Sequence, residues 1–191
     1  LSGYDRKMSA QRFDSETGHV MDTVSGQVRA ADYILHAGVG LFNTSAGVER
    51  GQWNAFVDAL DPTAFNPGIQ SVGFIAAVDR AGKGAYLRRA RAGSPGYAIE
   101  PRGDRPEYFP ILYLAPQRTL GRRLVGHDVG TEPALRSALG RSAADDVPAA
   151  SDIIYLTAAE PGAPREPGLF LVRALFRRQP GPSGMHAGRG R

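Results

Sequence analysis

The chain has 191 residues, with 23 Lys and Arg against 19 Asp and Glu, a formal net charge of +4, and no cysteine. That length suits one domain with a helical extension, and it can bury roughly 70% of its unfolded surface without a metal or a disulfide. The composition excludes thiol chemistry and cysteine-ligated metal, and no apolar run of about 18 residues reads as a membrane-spanning helix.

Lys7 and Lys83 are the only lysines, so the positive charge is carried almost entirely by arginine. The clusters Arg88-Arg89 with Arg91, Arg122-Arg123 and Arg177-Arg178 are dispersed along the chain. None is interleaved with aromatics as a single-strand nucleic-acid binder requires. The charge reads as solvated surface, and no nucleic-acid partner is expected.

Residues 1–18 are polar and carry no period. The chain starts at Leu1 without a methionine, as expected of a segment from a longer protein. Met21, Val24, Val28, Ala31, Leu35, Gly38 and Phe42 then recur at spacings of three and four, which predicts a helix over about 20–42. That stripe either packs on its own domain or forms a parallel dimer helix. Asn43-Thr44-Ser45 breaks the helix and can cap the next. Trp53, Phe56, Val57 and Leu60 predict that second helix over 48–60.

Asn66-Pro67-Gly68 is a turn. Beyond it Val72, Phe74, Ala76 and Val78 alternate as in a strand near 70–79. A basic helical segment follows over 83–92, closed by Gly93-Ser94-Pro95-Gly96. Strands are expected near 97–100 and 107–114, the second containing Pro110. Pro133 starts a helix that runs to about Ala144. Strands near 151–157 and 168–176 flank a long turn from Pro161 to Pro167. Residues 179–191 are Gly, Pro, Arg and Ser without an apolar period and read as a disordered or added tail.

Chemistry-bearing patterns are sparse. No Gly-x-Gly-x-x-Gly follows a strand, no phosphate-loop lysine motif exists, and no Gly-x-Ser-x-Gly elbow is present. His19, His36, His127 and His186 are never three or four residues apart, so no metal or other cofactor is expected. His127-Asp128 are sequence neighbours, which point apart on a strand. Asp145-Asp146 at a helix end read as solvated. What stands out is the aromatic set Phe74, Tyr97, Tyr108, Phe109, Tyr113 and Tyr155 on strands. Tyrosine, with an apolar body and a polar tip, suits the wall of a small-molecule cavity as well as ordinary sheet packing.

The order of these segments resembles the CHASE domain, the extracytoplasmic sensory module of membrane-bound histidine kinases and nucleotide cyclases. The resemblance runs from about Leu35 to Phe176. It rests on Leu41-Phe42 with Ser45 and Phe56, on Pro67-Gly68-Ile69-Gln70 with Gly73-Phe74 and Val78, and on Tyr97-Ala98-Ile99. It continues through Glu107-Tyr108-Phe109-Pro110, Gly126 and Asp128, Ala138, Ser151 through Leu156, and Gly168-Leu169-Phe170-Leu171.

The resemblance implies an α/β (α+β) fold: a long N-terminal helix, then a PAS-like, mainly antiparallel five-stranded sheet flanked by helices. It divides the chain into a helical stalk (1–46), a ligand-sensing domain (47–178) and the tail (179–191). It implies a non-enzymatic sensor in the periplasm, a homodimer through the N-terminal helix, and membrane attachment through spans outside this sequence. The alternatives are a small cytoplasmic α/β enzyme or regulatory domain and, more distantly, a basic nucleic-acid binder.

The resemblance also implies site residues. Plant cytokinin receptors, distant members, carry an aspartate before the Glu-Tyr pair that contacts adenine. Here that position is Pro106, so a purine contact of that kind is not implied. The matching pocket positions are Tyr97, Tyr108, Pro110, Ser151, Ile154 and Gly168. Tyr108, Pro110 and Leu112 share one strand parity. Phe74, Tyr97, Ser151 and Ile154 are expected to converge on the same space, with Tyr97 and Ser151 orienting a small organic ligand by hydrogen bonds.

Overall fold

The long helix expected near the N-terminus is present as α1 (residues 25–44) in a computed structural model that describes residues 25–117, 124–157 and 165–176. Its inward face is Ile34 and Gly38, with Leu41 and Phe42 packed on the same core. Those positions are one and two turns apart, as a helix packed on a domain requires. Of the expected stripe, Gly38 and Phe42 face inward, whereas Val28 is half exposed. Met21 and Val24 lie outside the described residues.

Helix α2 (Arg50–Leu60) begins with a reciprocal cap, in which the Gln52 side chain accepts the Glu49 N–H at 2.9 Å. Trp53 and Val57 are its buried residues. It ends where Asp61 turns left-handed (φ 42°) and Pro62 opens the single turn α3 (Pro62–Phe65). Asn66 then folds the chain back: its Oδ1 accepts from Gly68 N–H at 2.9 Å, and its Nδ2 donates to Gln27 O of α1 at 3.4 Å.

The centre is an interrupted antiparallel ribbon. Strands β1 (Val72–Ile75) and β2 (Val78–Asp79) run against β3 (Glu107–Tyr108) and β4 (Ile111–Ala115). Val72 pairs with Ala115 and Phe74 with Tyr113, but Ile75 pairs with Ile111, so Leu112 is an extra residue on β4. Such a bulge turns two successive side chains to one side. Accordingly Leu112 and Tyr113 both pack on the face that carries α1, α2 and α4 (Lys83–Gly93). The opposite face carries Ile75, Ile111 and Leu114, covered by Val129 and by Leu135 of α5 (Pro133–Asp145).

Beyond the ribbon, β5 (Ala149–Ala150) pairs with β8 (Leu171–Val172), and β6 (Ile154–Thr157) with β7 (Arg165–Gly168). The α/β character stands, with antiparallel pairing throughout these strands. The single five-stranded PAS-like sheet does not: among the described residues the strands form four two-stranded ribbons. Within the central ribbon the interruption has its physical reason in the breakers. Pro106 and Pro110 have no N–H to continue a ladder, and the Leu112 bulge shifts the register. The segment expected as a strand at 97–100 contributes one bridge, Glu100 to His127. Pro167, expected to end a turn, lies inside β7, a place open to proline because a two-stranded ribbon has a free edge.

Candidate ligand-binding site

The turn Ser94-Pro95-Gly96 closes α4 and delivers Tyr97, whose N–H donates to Ser94 O at 2.9 Å. Tyr86 is the one buried residue of α4. The two rings meet edge-to-face at 5.9 Å, and their hydroxyls lie 2.6 Å apart. Tyr97 OH donates onward to Ile111 O at 3.1 Å, so the Tyr86 hydroxyl is the donor to Tyr97. Burial pushes the Tyr97 hydroxyl up to about 12, because the phenolate loses its hydration. Burial and the bond to Tyr97 push Tyr86 higher still. Both are neutral donors and acceptors at any ordinary pH. Val78, Ile99, Tyr108 and Leu112 complete the apolar wall around them.

Tyr108 is fully buried, with its hydroxyl at the centre of a second network. That hydroxyl accepts from Arg105 N–H at 2.8 Å and Lys83 Nζ at 3.1 Å, and donates toward Asp104 Oδ1 at 3.2 Å. Lys83 Nζ lies 4.2 Å from the ring centroid and the Arg105 guanidinium 5.0 Å, both within cation–π range. Lys83 also donates to Gly103 O at 3.0 Å, which fastens the turn 102–105 over the ring.

Asp128, 1% exposed, anchors the far side. Its Oδ2 accepts from Arg105 Nε at 3.0 Å, and its Oδ1 accepts from the N–H groups of Phe109 (2.7 Å) and Gly130 (3.1 Å). A buried carboxylate is tolerated because each oxygen is occupied and a cation neutralises it. Gly126 makes this approach possible: at φ 90° it lies against Ala98 O, where a Cβ would collide.

The site residues expected from the sequence are distributed over three places. Tyr97, Tyr108 and Leu112 come together, and Pro110 is buried beside them in a bridge to Asp128. Phe74 joins a separate aromatic group, stacked on Phe42 at 4.2 Å. Ile154 packs on the opposite side of the ribbon and pairs with Gly168. Ser151 lies near them, its Oγ accepting from Phe170 N–H at 3.0 Å and donating to Asp152 O at 2.8 Å. The expected convergence of Phe74, Tyr97, Ser151 and Ile154 on one space is therefore corrected. The ribbon separates them, because Phe74 points to the helix face whereas Ile154 packs against Ile111 and Leu114 on the other.

Tyr86, Lys83, Arg105 and Asp128 join the site through these contacts and lie outside the ligand-binding positions that the sequence points to. Tyr86 and Lys83 sit in a segment that reads as a solvated basic helix. Among the described residues no three His, Cys, Asp or Glu side chains gather as metal ligands.

Residues 46–190 match the family model described as CHASE domain. The chain belongs to the CHASE domain family. The match begins after α1 and continues past Phe176, into the Gly-, Pro- and Arg-rich stretch that reads as a tail. A search of curated proteins finds no match. CHASE domains are extracytoplasmic sensor modules of signalling proteins, so this chain is a sensory domain. No helix among the described residues is long and apolar enough to cross a membrane.

Proposed function

We propose that this CHASE domain is the periplasmic ligand-binding part of a bacterial transmembrane signalling protein. It binds a small organic molecule and passes the signal to a cytoplasmic kinase or cyclase. The family match over residues 46–190 carries this reading. The binding face is the one on which Tyr97, Tyr108 and Leu112 meet, an apolar wall with two hydroxyl groups among its aromatic rings. A ligand with a polar group would exchange hydrogen bonds with the Tyr86–Tyr97 pair. Two copies associate along α1, on which Val28 and Tyr33 are exposed apolar positions.

The test is a thermal-shift screen of metabolites against the chain. A ligand at about 100 times its dissociation constant adds roughly 2.7 kcal/mol of stability. Tyr97→Phe and Leu112→Ala should shrink that gain, while Ser151→Ala should leave it. A gain that survives both of the first two and disappears in the third places the ligand on the other side of the ribbon. A full reading frame with no flanking hydrophobic spans and no kinase or cyclase sinks the signalling role. Sedimentation that shows a strict monomer at high concentration rejects the α1 dimer.

A further inference from the structure

Trp53 is 2% exposed, and its indole N–H meets no acceptor among the described residues. It is the one buried side-chain polar atom there left in that condition. Buried tryptophan N–H groups are normally paired, because a desolvated donor without an acceptor is unfavourable. The surroundings offer no substitute. Tyr113, stacked beside the indole at 6.2 Å, spends its hydroxyl on Val48 O at 2.7 Å. The other neighbouring rings are Phe42 at 5.9 Å and Phe56 at 5.6 Å. Phe42 in turn stacks on Phe74, and both are half-buried, so this edge of the aromatic group faces outward.

We propose that the Trp53 indole N–H is the recognition donor of a second binding site, between α1, α2 and the β1–β4 ribbon, for a small planar aromatic molecule with one hydrogen-bond acceptor. The rings of Phe42, Phe56 and Tyr113 pack around the indole, so an occupant beside the N–H meets aromatic surface, which favours a flat apolar body. The unmet N–H selects a carbonyl oxygen or ring nitrogen on its edge. The side chains buried around it are apolar, so the molecule is uncharged. This site lies at the other end of the ribbon face from Tyr97 and Tyr108 and stands independently of them. Because α1 supplies Phe42, an occupant there touches the long helix directly.

The chain contains a single tryptophan, so a ¹⁵N-labelled sample gives a single indole N–H cross-peak. Acetophenone and ethylbenzene serve as probes of nearly equal shape, of which only the first carries an acceptor. Titration with acetophenone should move the indole proton downfield, and ethylbenzene should not. In Trp53→Phe, which keeps an aromatic ring and loses the donor, the ratio of the two dissociation constants should fall about fivefold, the worth of one ordinary hydrogen bond. No movement with either probe, or equal movement with both, overturns the proposal. So does an indole proton that already exchanges magnetisation with a bound water in the free chain, since that water is then the partner. If Trp53→Phe does not fold, the titration of the unaltered chain decides.

Discussion

Removing the Tyr97 hydroxyl tests the tyrosine pair most directly. In Tyr97→Phe, Ile111 O keeps its bond from Gly126 N–H at 2.8 Å, so the acceptor is not orphaned. The Tyr86 hydroxyl is, since Tyr97 OH is its partner at 2.6 Å. The lost bond to Ile111 O, about 1 kcal/mol, and the lost bond to Tyr86, counted as its stranded hydroxyl at a similar cost, give a destabilisation of about 2 kcal/mol. Tyr86→Phe leaves Tyr97 OH bonded to Ile111 O, so it costs about 1 kcal/mol. The double variant orphans nothing and should cost about 1–1.5 kcal/mol, well below the sum of the singles. Urea unfolding at neutral pH measures all four proteins, with the midpoint read at a constant slope. If the two substitutions add to within about 0.5 kcal/mol, the hydroxyls are not coupled and the buried pair is misassigned. The same holds if Tyr86→Phe costs more than Tyr97→Phe.

The folded Tyr97 hydroxyl titrates near 12, above its ordinary value of 10.0, and Tyr86 and Tyr113 are raised too. Above pH 10 the unfolded chain therefore loses protons that the folded chain keeps, and stability falls as pH rises toward 12. The fall is up to about 1.4 kcal/mol per pH unit for each such tyrosine, and Tyr86→Phe/Tyr97→Phe should flatten it. Asp128→Ala strands Arg105 and the N–H groups of Phe109 and Gly130, so it should cost about 3–5 kcal/mol in urea unfolding, and Asp128→Asn less. Gly126→Ala combines a positive φ with a collision against Ala98 O; a cost under about 1 kcal/mol would show that this loop gives way.

The longer helices are legible because each carries its own signal, whereas the single turn α3 is not anticipated. The Trp53, Phe56, Val57 and Leu60 period marks α2, and Pro133 marks the start of α5. On α1 the inward face lies one residue off the expected stripe, since Ile34 is buried and Leu35 only partly so. A spacing of 3.5 fits a dimer seam and a spacing of 3.6 fits a domain face, and over five turns the two drift apart. The alternation of Val72, Phe74, Ala76 and Val78 placed β1 and β2 on one parity. Nothing local announced the Leu112 bulge, because a bulge is a relation between two strands.

The site was legible only where its residues are also core. Tyr97 and Tyr108 are large, aromatic and on extended chain, so the features that mark them in the sequence are the ones that bury them. Lys83, Arg105 and Asp128 became partners only through the turn at 102–105, which folds back over Tyr108. A charged residue gives no sequence signal of the neutral hydroxyl that it will hold. The resemblance alone puts Ser151 and Ile154 in the same space as Tyr97, and nothing in their own segments shows on which side of the central ribbon they fall. Parity relates residues within one sheet. Because β6 pairs with β7 and not with β4, parity on β6 says nothing about which side of β4 it meets. The two aromatic groups that result, Tyr86–Tyr97–Tyr108 and Phe42–Trp53–Tyr113, occupy opposite ends of one ribbon face. Only the second holds a donor without a partner, and only the second is roofed by α1.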